Sequence, residues 1–360
     1  MPTNRKPRSS CIDRTAIARA VAVCCLAAIY FPSNGIAEDL FHSTPLTPKD
    51  EYTSHIEGPA VNAAGDLFVV NIKIPGAGDK GGGIGRMKNG ATTSELCAIL
   101  PNNGVGNGIR FDLAGRMYVA DFPNHIIHVF ESGCTTAQTY FPATPNDGQP
   151  AFNQPNDLAI ARDGTLYASD PKGDGTGRIW KIARDASGKV TGKIMTMVAS
   201  PPRKQGKTNG LDLSPDNKTL YVSESRFAPH GVLKAKAAVY AYRIDGLKLA
   251  DERKLIEFPQ KDVDGLRVDT DGRIFVARPD AGEVAIIVPP GSPGATHAPV
   301  KTTGGLAPTN LTFGGADGRD VFVTQADSNN ILIERFRTDR PGREPCLQTP
   351  APADCRPIAQ

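Results

Sequence analysis

The chain has 360 residues with 37 Gly, 30 Pro and 6% aromatic residues, a composition of short strands and turns around one large core rather than of long helices. Its formal charge of +3 is gathered at the N-terminus: Arg5, Lys6, Arg8, Arg14 and Arg19 stand there against Asp13, so that residues 38–360 carry −1. A nearly neutral body has no phosphate-binding footprint, which excludes nucleic acid as the expected partner.

The five cationic side chains precede the 12-residue apolar run Ala20 to Phe31 and then Gly35, Ile36 and Ala37. This order reads as a secretory signal over residues 1–37, cut after Ala37. The apolar run is short against the roughly 20 residues that span a bilayer. Cys24 follows Val23, which is larger than the small residue a lipoprotein site needs. A periplasmic or secreted chain with no stable membrane anchor is therefore expected. Four cysteines remain after residue 37, Cys97, Cys134, Cys346 and Cys355, an even number suited to an oxidising compartment. Three pairings are open to them, and proximity favours Cys97 with Cys134 and Cys346 with Cys355. No two are spaced as a C-x-x-C ligand pair, which argues against zinc held by thiolates.

From Glu57 onward one unit recurs. A turn of Asp-Gly or Ala-Gly type is followed by a short alternating strand: AAGDLFVVN at Gly65, LAGRMYVAD at Gly115, RDGTLYASD at Gly164, PDNKTLYVSE at Asn217, TDGRIFVAR at Gly272 and ADGRDVFVTQ at Gly318. The six copies are 50, 49, 53, 55 and 46 residues apart, room for four short strands each, which is the blade of a propeller. The expected fold is all-β, a six-bladed β-propeller over residues 38–338, with 339–360 as an extended, disulfide-pinned tail. Either the segment Glu38 to Ser54 or the tail could close the last blade. Trp180 is expected to pack between blades.

Eight residues before each turn residue stand Glu57, Asn107, Asn156, Asn209, Asp264 and Asn310, without a change of offset. Each opens the first strand of its unit, the strand that lines a propeller's axis, so six oxygen-bearing side chains are expected around one end of the central channel. Asn and Asp before Gly are also ordinary turn formers, but turn chemistry alone would drift among Ser, Asp, Gly and Asn. All-oxygen donors with two carboxylates suit a hard divalent cation.

The words EGP at Glu57, PND at Asn156, TNGLDLSPDNKTLYVSES around Asn209, DVDGLRVDTDGRIFVA around Asp264 and PTNLTFGG at Asn310 together resemble the senescence-marker-protein/gluconolactonase/luciferin-regenerating-enzyme family. The resemblance implies metal-assisted opening of a lactone ring, commonly an aldonolactone or gluconolactone. It implies a calcium-like ion, with Mn2+, Mg2+ or Zn2+ as other candidates, on Glu57, Asn156, Asn209 and Asp264. On that reading Asp264 doubles as general base and Asp157 orients a water or a sugar hydroxyl. Asn107 and Asn310 would bind substrate hydroxyls or stand behind the ligands as their hydrogen-bond partners. The sequence departs from the family in having no aromatic residue just after EGP, and in Gln154 two positions before the PND Asn. A monomer or weak homo-oligomer is expected. The alternative is a propeller that binds calcium and a sugar acid without turnover.

Three other signals are weaker. Gly76, Gly78 and Gly81 spell G-x-G-x-x-G with no helix after them, so a loop that could lid the channel is favoured over a dinucleotide site. His125 and His128 are three apart and cannot chelate together from one strand. Asp170 and Asp174 could hold a structural cation or form an ordinary Asp-Gly loop.

Overall fold

The computed structural model describes residues 38–77, 82–131, 133–142, 148–171, 177–197, 207–225, 236–348 and 351. The expected signal segment, Gly78, Gly81, Asp174 and Cys355 lie outside the described residues. Those residues form six antiparallel sheets, taken in chain order as blades 1 to 6. Blade 1 is Tyr52–Val61, Leu67–Ile72, Gly83–Met87 and Glu95–Ile99, and blade 2 is Gly106–Phe111, Met117–Asp121, Ile126–Phe130 and Gln138–Phe141. Blade 3 is Leu158–Ile160, Leu166–Asp170, Arg178–Arg184 and Val190–Ile194, and blade 4 is Lys207–Leu213, Thr219–Ser225, Ala237–Asp245 and Lys248–Phe258. Blade 5 is Leu266–Val268, Ile274–Arg278, Glu283–Ile287 and Val300–Lys301, and blade 6 is Pro308–Gly314, Asp320–Asp327 and Asn330–Arg337. Blade 4 gains a fifth piece, Thr196–Met197, parallel to its outer strand.

The repeated turn explains why the units fold alike. Gly65, Gly115, Gly164, Asn217, Gly272 and Gly318 all have φ between 57° and 83°, a left-handed conformation that Gly and Asn tolerate best. Each turn residue donates its N–H to the carbonyl three residues back, as Gly115 does to Asp112 and Gly272 to Asp269. Alternating side chains then cover both faces of each sheet with apolar groups, and every pair of adjacent blades shares one buried cluster. Trp180 lies fully buried in the cluster between blades 2 and 3, against Phe141 and Phe152, with its indole N–H donating to Asp170 at 2.9 Å.

Blade 6 is completed by the N-terminal piece Thr44–Pro45, which pairs antiparallel with the outer strand (Thr44 opposite Arg335). Of the two closures open to the sequence this is the first, and Ser43 fixes it by donating to buried Glu334 at 2.6 Å. The C-terminal tail is not an appendage over its described part. Arg343 N–H donates to Val268 O and Arg343 Nη2 to Ile160 O, while Gln348 Nε2 donates to Val61 O. Those carbonyls end the inner strands of blades 5, 3 and 1, so the tail is seated across the end of the channel opposite to the strand starts.

Cys97, in the outer strand of blade 1, is disulfide-bonded to Cys134 in the Phe130 to Gln138 connection of blade 2, with a Cα–Cα distance of 5.0 Å. The bond staples two blades across a sequence separation of 37 residues. Chain-entropy arithmetic for a loop of that length gives about 4 kcal/mol. The Cys97→Ser/Cys134→Ser variant is accordingly expected to lose about 3 to 4 kcal/mol in denaturant unfolding without loss of the sheet signal in circular dichroism. Among the described residues no helix is long and apolar enough to cross a membrane.

Candidate functional site

Asn107, Asn209 and Asn310 fall within the first three residues of an inner strand, while Glu57 lies midway along Tyr52–Val61, where the backbone bends to present it. Pairing between the first two strands shifts register around Glu57, Asn107, Asn209 and Asn310, the bulge geometry that re-aims a side chain. Asn156 and Asp264 instead stand two residues ahead of their strands, Leu158–Ile160 and Leu266–Val268.

Neighbouring blades meet at this level with almost no room between backbones. A Cβ on Gly58 would fall 1.7 Å from Asn107 O, one on Gly108 would fall 2.9 Å from Asp157 Cα, and one on Gly210 would fall 2.6 Å from Asp264 O. The glycine after each of these ring residues is therefore a packing requirement. Backbone hydrogen bonds join the blades there: Gly108 N–H donates to Asn156 O at 2.8 Å and Gly265 N–H to Thr309 O at 2.9 Å.

The side chains converge accordingly. Asn310 Nδ2 donates to Glu57 Oε2 at 2.9 Å, and Glu57 also accepts from Gly58 N–H at 2.8 Å. Asn209 hydrogen-bonds to the Asp264 carboxylate. Burial pushes the Glu57 carboxyl up to about 7. Burial also raises Asp264 well above its ordinary value, and the negative charge of Glu57, from a blade not adjacent to its own, raises it further. The side-chain oxygens of Asn107 and Asn209 are buried and accept no hydrogen bond. Two carboxylates that repel each other thus meet Asn209, whose amide oxygen is unpaired, at one end of the channel. Among the described residues there is no cluster of three or more His, Cys, Asp or Glu arranged for a metal. Any cation here would rest on the amide oxygens as much as on the two acids.

Of the two roles open to Asn310 one is favoured, and Asp157 changes role. Asn310 has its amide committed, with Nδ2 on Glu57 and Oδ1 accepting from Leu311 N–H at 2.9 Å, so it positions Glu57 rather than offering itself to a substrate hydroxyl. Asp157 is fully buried between two arginines: Arg110 Nη2 lies 3.0 Å from its Oδ1, and Arg267 Nη1 and Nη2 lie 2.8 Å and 3.0 Å from Oδ2 and Oδ1. It sits beneath the cup as a counter-ion. Burial still lifts its carboxyl to about 7 despite Arg110. Asp157→Asn is therefore expected to cost about 3 to 5 kcal/mol of stability, since two buried guanidinium groups lose their partner, a loss that a thermal melt would register before any kinetic assay.

Sequence reasoning missed Arg110, Asp212 and Arg267. Each is the third residue after its ring residue, in NGIRFD, NGLDLS and DGLRVD, and a charge in an otherwise apolar inner strand was the available signal. The histidines do not chelate: buried His128 pairs its Nε2 with Asp121 at 2.9 Å, and His125 is in the turn before that strand with φ 59°. Asp170 pairs with Arg178 and Trp180.

Comparison with known proteins places this geometry. Gluconolactonase of Zymomonas mobilis is 25% identical over 253 residues, covering 64% of this chain and 63% of that protein. Regucalcin of Gallus gallus is 28% identical over 123 residues, 33% of this chain and 37% of that one. The alignments thus span less than two thirds of these relatives. Among solved structures, a gluconolactonase from Xanthomonas campestris superposes with a TM-score of 0.60 at 20% identity, covering 83% of this chain and 89% of that one. The regucalcin of Agrobacterium tumefaciens, described as calcium-binding, gives 0.57 at 19% identity over 85% and 95%. A streptogramin B lyase also shares the fold, with a TM-score of 0.54 at 14% identity over 82% of this chain and 97% of that one, so the propeller alone does not name a reaction. The SMP-30/gluconolactonase/LRE-like family model matches residues 133–327, and the chain belongs to that family.

Proposed function

We propose that the chain is an exported lactone hydrolase acting on a sugar lactone, with a divalent cation held by Glu57, Asn156, Asn209 and Asp264. Calcium is the first choice over manganese, magnesium and zinc. The single observation that carries the reading is the convergence of the two buried carboxylates Glu57 and Asp264 with Asn209, whose amide oxygen is unpaired, in a chain of this family. Hard oxygen donors in that number fit a hard cation, and neither acid is comfortable ionised without one. When bound, such an ion supplies positive charge that polarises a carbonyl and lets both carboxylates stay ionised.

The remaining work falls to the chain. Asp264 takes a proton from the water whose oxygen adds to the lactone carbonyl carbon. The ring C–O bond then breaks, and the released oxygen is protonated, giving the open hydroxy acid. Asn107 Oδ1, buried and unpaired, accepts from a substrate hydroxyl on this reading. Asn310 holds Glu57, and Asp157 with its two arginines stiffens the channel beneath Asn156. The tail across the far end makes the channel a blind cup, which limits the water reaching the substrate.

The test follows proton release from glucono-lactone by the exported chain after chelation, with calcium, manganese or zinc restored and the spontaneous rate subtracted. Turnover that returns with metal and is absent in Glu57→Ala supports the hydrolase. Turnover equal to the spontaneous rate across a lactone panel, with calcium still bound, leaves the calcium- and sugar-acid-binding propeller instead.

A further inference from the structure

The channel beneath the ring is filled by charges from two sources. The inner strands supply Arg110, Asp157, Asp212 and Arg267, and the C-terminal tail supplies Arg343 and Glu344. Arg343 is fully buried, with Nη2 2.7 Å from Asp212 Oδ1 and 3.0 Å from Ile160 O. Glu344 Oε1 lies 2.9 Å from Arg110 Nε, and Arg110 in turn holds Asp157, the neighbour of ring residue Asn156. Three cations and three anions therefore stand in one buried stack, and the tail provides one of each.

We infer that the tail residue Glu344 is a positioning residue for the ring, balancing Arg110 from the opposite end of the channel so that the cup above can accept a divalent cation. The inference rests on the cation reading given under Proposed function. Its physical basis is the low dielectric of the stack. With Glu344 in place three acids face three guanidinium groups, and Arg110 is hydrogen-bonded to Asp157 and stands at ion-pair distance from Glu344, without hydrogen-bond geometry between them. Without Glu344 the stack carries a net positive charge, and Arg110 loses one of its two acidic partners. Arg110 also donates to Pro59 O, two residues from Glu57, and holds Asp157, the neighbour of Asn156, so its charge stands between two of the proposed ligands and, left unbalanced, opposes a cation in the cup. An uncompensated buried charge acts strongly over such distances because little water screens it. The arrangement makes an element remote in sequence from every ring residue a determinant of the ring's affinity.

Calcium binding to the full chain, measured by calorimetry with calcium alone as the probe, tests this with a charge series at one position. Glu344→Asp is expected to bind within about twofold of the parent, Glu344→Gln about tenfold more weakly, and Glu344→Lys more weakly again. The double variant Arg343→Gln/Glu344→Gln removes one charge of each sign and is expected to recover most of the affinity lost in Glu344→Gln. Melts in chelator, recorded for every variant, separate affinity from folding. Affinity that does not follow charge along the series overturns the inference, as does a double variant that melts cooperatively yet binds no better than Glu344→Gln. If the double variant does not fold, the three single substitutions still decide the matter. Absence of calcium binding by the unsubstituted chain overturns the cation reading itself and this inference with it. Binding by the parent that is unchanged in Glu344→Lys overturns this inference alone.

Discussion

Asp264→Ala is expected to lower kcat/KM for an aldonolactone by about 10²- to 10⁴-fold, the range associated with loss of a positioned general base. One carboxylate has two proposed duties, as base and as ligand. Asp264→Asn keeps an oxygen where the acid stood but cannot take a proton, so turnover should fall nearly as far as in Asp264→Ala while cation affinity falls less. In Asp264→Ala both should fall together. Asp264 is buried and raised first by its own desolvation and then by Glu57, so its removal relieves the cost of burying that carboxylate and offsets the lost hydrogen bond from Asn209. Both variants should melt in chelator no lower than the parent. Turnover in Asp264→Asn within tenfold of the parent would remove Asp264 from the role of base and leave it only as a ligand.

Gly58→Ala is expected to have a large effect on the scaffold at the ring. Gly58 has φ 53°, and its Cβ would overlap Asn107 O at 1.7 Å. The neighbouring atom is backbone of the next blade, so no side chain can turn aside to make room. Left-handed strain of about 1 to 2 kcal/mol and overpacking of about 1 to 3 kcal/mol together suggest a loss of about 2 to 5 kcal/mol in chemical unfolding. Gly115→Ala is the control, since its φ is 78° but nothing lies within 4 Å of the added Cβ. It should cost only the strain. Equal losses in the two variants would show that blade contact at the ring is not what the glycine serves.

Much of this was written in local pattern. A six-fold turn with Gly or Asn at one place, an apolar alternation after it and an acidic or amide residue eight positions before it required only backbone rules repeated along the chain. These rules yield the blades, the interblade burial of Trp180 and the members of the ring. The family resemblance of EGP, PND and the DG word agreed with them. The bond between Cys97 and Cys134 was also within reach of sequence proximity.

What the chain order could not supply was which charges neutralise one another. Arg110, Asp157 and Arg267 belong to blades 2, 3 and 5, and their meeting depends on the width of the closed channel. The motif beside Asn156 cannot show that Asp157 is spent on two arginines, nor the word PTNLTFGG which of two roles Asn310 takes, because a side chain's free valence is not visible until its hydrogen-bond partners are. Arg343 and Glu344 gave no periodic signal, and their burial follows only from the tail's path across the end of the inner strands. Sequence by itself determined the repeat, the fold and the oxygen ring, because those follow from local conformational preferences and burial that recur every blade. The tertiary structure alone decided which of the ring oxygens are unpaired and what lies beneath them, because pairing of buried charge is set by contacts between residues distant in the chain.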